Sequence, residues 1–118
     1  MTTDWKAIAL ALEKHQNHLD KAYIVVLLLK EQISEKSISS ELHRYTSKML
    51  ELERDIRVTK NRINTFLERH CKTGKITKKW LSRRDSISDQ FLFVSNKIPL
   101  VCNKAIQFIA LIDSEKDD

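Results

Sequence analysis

One glycine and one proline in 118 residues leave this chain nearly without the residues that tight turns, hairpins and phosphate-cradling loops require. That scarcity excludes a Walker loop, a dinucleotide fingerprint and a GxSxG elbow, each of which needs at least two glycines. Most nucleotide-dependent enzymes are excluded with them. The two cysteines, Cys71 and Cys102, are too few for a disulfide framework and form no CxxC pair, so both read as free thiols. The longest apolar run is AYIVVLLL at 22–29, far short of the roughly 18 to 20 residues that cross a bilayer. No membrane span is expected. Residues 1–7 carry Asp4 and no basic segment leading into an apolar run, so no secretory leader is expected and the cytoplasm is the expected compartment.

What the chain does have is helical periodicity. A hydrophobic content of 42% with 31% charged residues describes an ordinary folded protein, and the length suits one domain spanning residues 1–118. Apolar residues recur at alternating steps of three and four in three registers. The first is Trp5, Ile8, Leu12, His15, Leu19, Ala22, Val26, Leu29, Ile33; the second is Leu42, Tyr45, Met49, Leu52, Ile56, Thr59, Ile63, Phe66, His70. The third is Trp80, Arg84, Ile87, Phe91, Val94, Ile98, Val101, Ala105, Phe108, Ile112. Of these 28 positions 24 are apolar, where composition alone would give about 12, so three long amphipathic helices are predicted.

Punctuation agrees with that division. Thr3 or Asp4 can cap the first helix, the SISS run at 37–40 the second, and Thr77 or Ser82 the third, while Gly74 suits a left-handed closure of the second. Ser82 and Ser86, each with Asp three residues on, leave room for a later start of the third helix. Pro99 disfavours helical angles at Ile98, yet the register continues through it, which predicts a kink or a split into a fourth helix. With short connections, neighbours run antiparallel and the expected fold is all-α, an up-down-up bundle of three long helices. The acidic tail at 113–118 opposes the helix dipole and is expected to fray.

Charge is unevenly placed. Arg69, Lys72, Lys75, Lys78, Lys79, Arg83 and Arg84 fall in 16 residues with no acid among them, while the whole chain carries only +5. One pole of the bundle is therefore basic, with Arg54, Arg57, Lys60 and Arg62 extending the bias along the second helix. The pole is a candidate surface for an anionic partner, with Lys72, Lys75, Lys78, Lys79, Arg83 and Arg84 as its contacts. Trp80 is a candidate stacking ring for nucleic acid, although its register position suits a core residue equally.

Apolar surface is also in surplus. Ile24, Val25, Leu27 and Leu28 fill the flanks of the first seam, and Leu92, Phe93, Leu100, Cys102, Ile106, Ile109 and Leu111 do the same for the third. A three-helix bundle buries about three positions in seven, so these stretches exceed what one bundle covers unless it closes over its own flanks. The residues expected at a partner or dimer interface are Ile24, Val25, Leu28, Phe93, Leu100 and Ile109.

Signals for chemistry are weak. His15, His18, His70 and Cys71 lie near one end but lack a chelating pattern, and no metal or other cofactor is expected. Cys71 beside Arg69 and Lys72 has no third group to complete a catalytic arrangement, and the carboxylates sit at salt-bridge spacing, as with Glu53 and Arg57. RRDS at 83–86 resembles a basophilic kinase site by four residues only. The expectation is a non-enzyme: a helical-bundle interaction module of an adaptor, chaperone-like, immunity or small regulatory kind, binding another protein or itself. The alternative is a nucleic-acid-binding accessory protein that works through the basic pole at 69–84.

Overall fold

A period near 3.6, few β-branched runs and a near absence of Gly and Pro commit the backbone to helix, and helix is what forms. The computed structural model describes the backbone of residues 5–35, 40–71 and 78–116, and side chains at 6–35, 44–69, 78–111, 113 and 114. Three helices fill these residues: α1 (Trp5–Glu35), α2 (Ser40–Phe66), and α3 (Lys78–Lys116). The last turn of α2 widens into a π-helical turn, Leu67–Cys71. Thr3, Asp4, residues 37–39, Lys72, Gly74, Lys75 and Thr77 lie outside the described residues, as do the side chains of Trp5, Leu42, His70, Cys71 and Ile112.

α3 is helical from Lys78, so Ser82 and Ser86 sit inside it and do not start it. It also runs unbroken through Pro99, which gives three helices and not four. Pro99 costs the helix one hydrogen bond and a clash with the preceding turn. Packing on both sides of it, at Val94, Ile98, Cys102 and Ala105, keeps α3 against the core.

Ring contacts at the two ends define the topology. Phe66 meets Trp80 at 4.8 Å between centroids, and Tyr45 meets Phe108 at 4.9 Å, so α2 and α3 run antiparallel. His15 stacks on Phe91 at 3.9 Å, and His18 reaches Ser95 at 3.4 Å, so α1 and α3 run parallel. The result is an up-down-up rod with extents of 64 × 20 × 19 Å.

Every described position of the three registers is buried or half-buried. Leu19, Val26, Ile33, Met49, Leu52, Ile56, Ile63 and Trp80 form the sealed centre. Thr59, the polar position in the second register, is also sealed; its hydroxyl donates to the Asp55 carbonyl at 2.7 Å and accepts from the Gln90 amide at 3.0 Å. Burying a hydroxyl costs little when both of its roles are filled in this way. The helices are tied at their edges as well. Lys30 pairs with Glu53 at 2.7 Å across α1 and α2, and Lys60 pairs with Asp20 on the same side. Lys97 of α3 reaches Glu51 at 3.3 Å and Asp55 at 3.2 Å on α2.

Candidate functional site

Two outer grooves of the bundle carry different chemistry, and α3 borders both. The cross-contacts say which edge of each helix looks into which groove. On α3, Phe91 and Ser95 meet α1, whereas Gln90 and Lys97 meet α2. Because helical neighbours recur three, four and seven residues apart, the remaining surface residues follow from these anchors.

On the α1/α3 side, Val25 lies two turns beyond His18 and Leu28 follows it. Facing them, Pro99 and Ile106 continue the stripe that contains Ser95, and Leu92 lies lower on it, at the level of His15. Val25 is 46% exposed, Leu28 56%, Leu92 56% and Ile106 51%, and Ile24 stands beside Leu28 on the outermost face of α1. Exposed Lys21, Gln32 and Asn103 rim the strip. Lower in this groove, His15 stacks on Phe91 and borders Arg84 and Asp85. Burial, and then the neighbouring His18, lower the His15 pKa below the ordinary histidine value, so its imidazole is neutral at pH 7.

The α2/α3 side is cationic. Near the end of α2, Arg62, Arg69 and Arg83 border a groove of about 410 Å³ with Asn61 and Thr65, floored by Val58, Phe66 and Ile87. Arg62 is positioned by α3: it donates to Gln90 and, at 3.3 Å, to Ser86. Arg69 comes from the π-helical turn, a geometry often found where a helix carries function. At the other end of the same side, Arg44, Lys48 and Lys104 border a second groove of about 430 Å³ with Tyr45, Gln107, Phe108 and Leu111. Between the two, burial works against the charge of Lys97, but its hydrogen bonds to Asp55 and Glu51 outweigh that and raise its pKa above the ordinary lysine value. Phe93 also stands here, 67% exposed, with the Lys97 ammonium 5.8 Å from its ring centre.

The six residues expected at one apolar interface are thus divided. Val25 and Leu28 edge the α1/α3 side, whereas Ile24, next to Tyr23 and one turn from Asp20, leans to the α2 flank of the outer face. Phe93 and Leu100, both prominently exposed, edge the α2/α3 side. Ile109 is half-buried and packs against the core, and Cys102 is buried, where apolar surroundings raise its thiol pKa.

The basic pole divides too. Lys78, Lys79 and Arg83 are exposed. Arg83 looks into the α2/α3 groove, whereas its neighbour Arg84 pairs with Asp85 at 2.8 Å and borders the α1/α3 groove. Lys60 is engaged with Asp20 and lies over the Tyr23 ring. Trp80 is sealed in the core against Phe66, so it is no stacking platform. Among the described residues, no three His, Cys, Asp or Glu side chains gather to hold a metal ion. Among the same residues, no helix is long and apolar enough to cross a membrane.

Arg44, Lys48 and Lys104 were not singled out from the sequence, because each stands alone in it. The pairing of Trp80 with Phe66 is the signal that finds them: once α2 and α3 run antiparallel from that contact, Lys104 falls opposite Arg44 and Lys48. No family model, curated protein or solved structure matches the chain.

Proposed function

We propose that this protein is a non-enzymatic helical-bundle interaction module that associates with a second copy of itself through the α1/α3 strip. The observation that carries this reading is the exposed apolar set Val25, Leu28, Pro99 and Ile106, with Ile24 beside it and Leu92 two turns below on the same stripe of α3, inside a polar rim. Five large apolar side chains left wet on so small a protein are the usual mark of an association surface.

Size and charge favour a second copy as occupant. From Leu92 to Ile106 the strip runs about 21 Å along a rod measuring 64 × 20 × 19 Å. A band of that length across a face 20 Å wide is on the order of 400 Å², and its polar rim extends it toward the roughly 800 Å² per partner of a standard interface. A two-fold antiparallel arrangement brings strip onto strip and sends the two basic poles to opposite ends, where like charges do not meet. Adaptor or regulatory roles suit such a module.

Sedimentation equilibrium tests the proposal. The 13.8 kDa chain is expected to sediment at twice its mass at tens of micromolar, and the double variant Leu28→Asp, Ile106→Asp as a monomer with unchanged helical circular dichroism. A wild-type protein that stays monomeric at about 100 µM, or a double variant that stays dimeric, overturns it.

A further inference from the structure

The α2/α3 side presents three cations in one groove, Arg62, Arg69 and Arg83, and three in another, Arg44, Lys48 and Lys104. All six are exposed. Among the described residues, none of the six has a carboxylate partner across the helices. Along α3 the grooves are separated by the 21 residues from Arg83 to Lys104, which at 1.5 Å per residue is about 30 Å. The stretch between them is continuous. On α2, Lys48, Glu51, Asp55, Val58 and Arg62 follow at steps of three and four, and on α3 Gln90, Phe93, Lys97, Leu100 and Lys104 do the same. Two stripes therefore run side by side, tied by Lys97 to Glu51 and Asp55 and by Arg62 to Gln90. Phe93 and Leu100 are the most exposed large apolar side chains among the described residues, and Val58 is exposed as well.

We infer that this side docks an amphipathic α-helix of another protein, one with acidic residues in its end turns and an apolar, acid-free middle. The backbone groups of α2 and α3 are used inside those helices, so an extended peptide finds no strand edge to pair with. A helix brings its own backbone hydrogen bonds and lays one face of side chains into the groove. The middle of the side selects a polypeptide over nucleic acid. There Glu51 and Asp55 set two carboxylates against the single ammonium of Lys97, and a single strand or a duplex would carry phosphate past them. A polypeptide can instead hold carboxylates over the two cationic grooves and apolar side chains over Phe93, Leu100 and Val58. Arginine in the lower groove suits those carboxylates through its planar fork of donors. Acids about 20 residues apart on the docked helix match the separation of the grooves. Two copies of this same face do not suit each other, because either direction of pairing sets cations on cations.

The inference uses a different side of the rod from the self-association strip and stands independently of it. Fluorescence anisotropy with labelled helical peptides of about 28 residues tests it, a length that spans both grooves with a turn to spare at each end. On one face the first peptide carries Glu in its end turns and Leu between them, with Gln and Ala elsewhere. The second has the same composition with those Glu and Leu positions exchanged, and the third is the first with proline at a central position of the opposite face. The first is expected to bind at least about 10-fold tighter than the second, the third, or a labelled duplex of about 20 base pairs. Lys48→Glu with Lys104→Glu, Arg69→Glu with Arg83→Glu, and Phe93→Ser with Leu100→Ser are each expected to weaken it at least about 10-fold. Lys14→Glu with Lys21→Glu, the same charge change on α1, and the strip variant Leu28→Asp with Ile106→Asp should weaken it by no more than about threefold. Circular dichroism checks that each variant is folded. The inference is overturned if the first peptide does not bind at about 100 µM, if another peptide or the duplex binds as tightly, or if the control variants weaken binding as much as the groove variants. Loss of self-association in Phe93→Ser with Leu100→Ser, read by sedimentation, would also overturn it by giving this face to a second copy.

Discussion

The α1/α3 and α2/α3 sides share α3 and one core, yet one is apolar and rimmed with polar groups while the other is cationic at both ends and acidic in the middle. On α3 the difference arises between adjacent residues. Leu92 looks toward α1 and Phe93 toward α2; Arg84 borders one groove and Arg83 the other. A step of one residue turns the side chain by about 100°, enough to carry it across a helix that has its core on one face and a neighbour on each side. A helix in a small bundle can therefore serve two surfaces at once, provided its seam is apolar and its two flanks are composed separately.

The largest effect is expected where both sides depend on the same residue. Trp80→Ala removes a sealed indole packed on Phe66 and should lower stability by about 3 to 5 kcal/mol, read as a shifted urea midpoint. This contact ties the lower end of α2 to α3, so its loss should loosen both sides near that end. A loss below about 1 kcal/mol would show that Trp80 does not anchor the bundle.

Thr59→Val separates the sides. It keeps the shape of a buried side chain but removes the hydroxyl that accepts from Gln90, whose amide oxygen in turn receives Arg62. A cost of about 1 kcal/mol is expected from the unfilled donor. Amide exchange and side-chain NMR shifts should change at Gln90, Ser86 and Arg62, while the α1/α3 strip residues keep theirs. Equal changes on both sides would remove the distinction.

The smallest expected effect is a pH dependence confined to the α1/α3 side. His15 has a folded pKa below its unfolded value of 6.5, so the unfolded chain binds the proton more readily. Stability is then intact above pH 6.5 and declines as the pH falls through 6.5, levelling off below the folded pKa. Three charged or titratable groups bear on this ring: His18 on α1, and Arg84 with Asp85 on α3. His15→Gln should flatten this slope in urea titrations between pH 7 and pH 5; an unchanged slope would assign it to other groups.

Much of the fold was legible in the residues themselves. The three registers located the helices and the core, down to the sealed Thr59, because burial on one face of a 3.6-residue helix imposes that spacing. The upper part of α3 was less legible. A seam written at steps of three and four drifts by about 20° per heptad against a true helix. By residue 100 the drift has carried Cys102 into the core, and Ile109 packs against it together with the half-buried Val101 and Phe108. That is why Ile109 leaves the expected interface.

The candidate sites were legible as ingredients and not as places. Clusters close in sequence, such as residues 69–84, show as charge runs, whereas Arg44 and Lys104 are brought together only by the antiparallel match of α2 with α3. The end of the rod away from residues 69–84 holds a basic groove of its own for this reason.

Sequence by itself determined that the chain is helical, where its seam runs, and that apolar and basic residues exceed what the core and a neutral surface need. Periodicity gives each residue an angle about its own helix axis, and nothing more. Which neighbouring helix lies to its left and which to its right depends on the hand of the bundle and the offset between helices. Packing across the core decides those, at contacts such as His15 with Phe91 and Phe66 with Trp80. Only the tertiary structure therefore sent Val25 and Phe93, both read as surplus apolar residues, to opposite sides of the molecule.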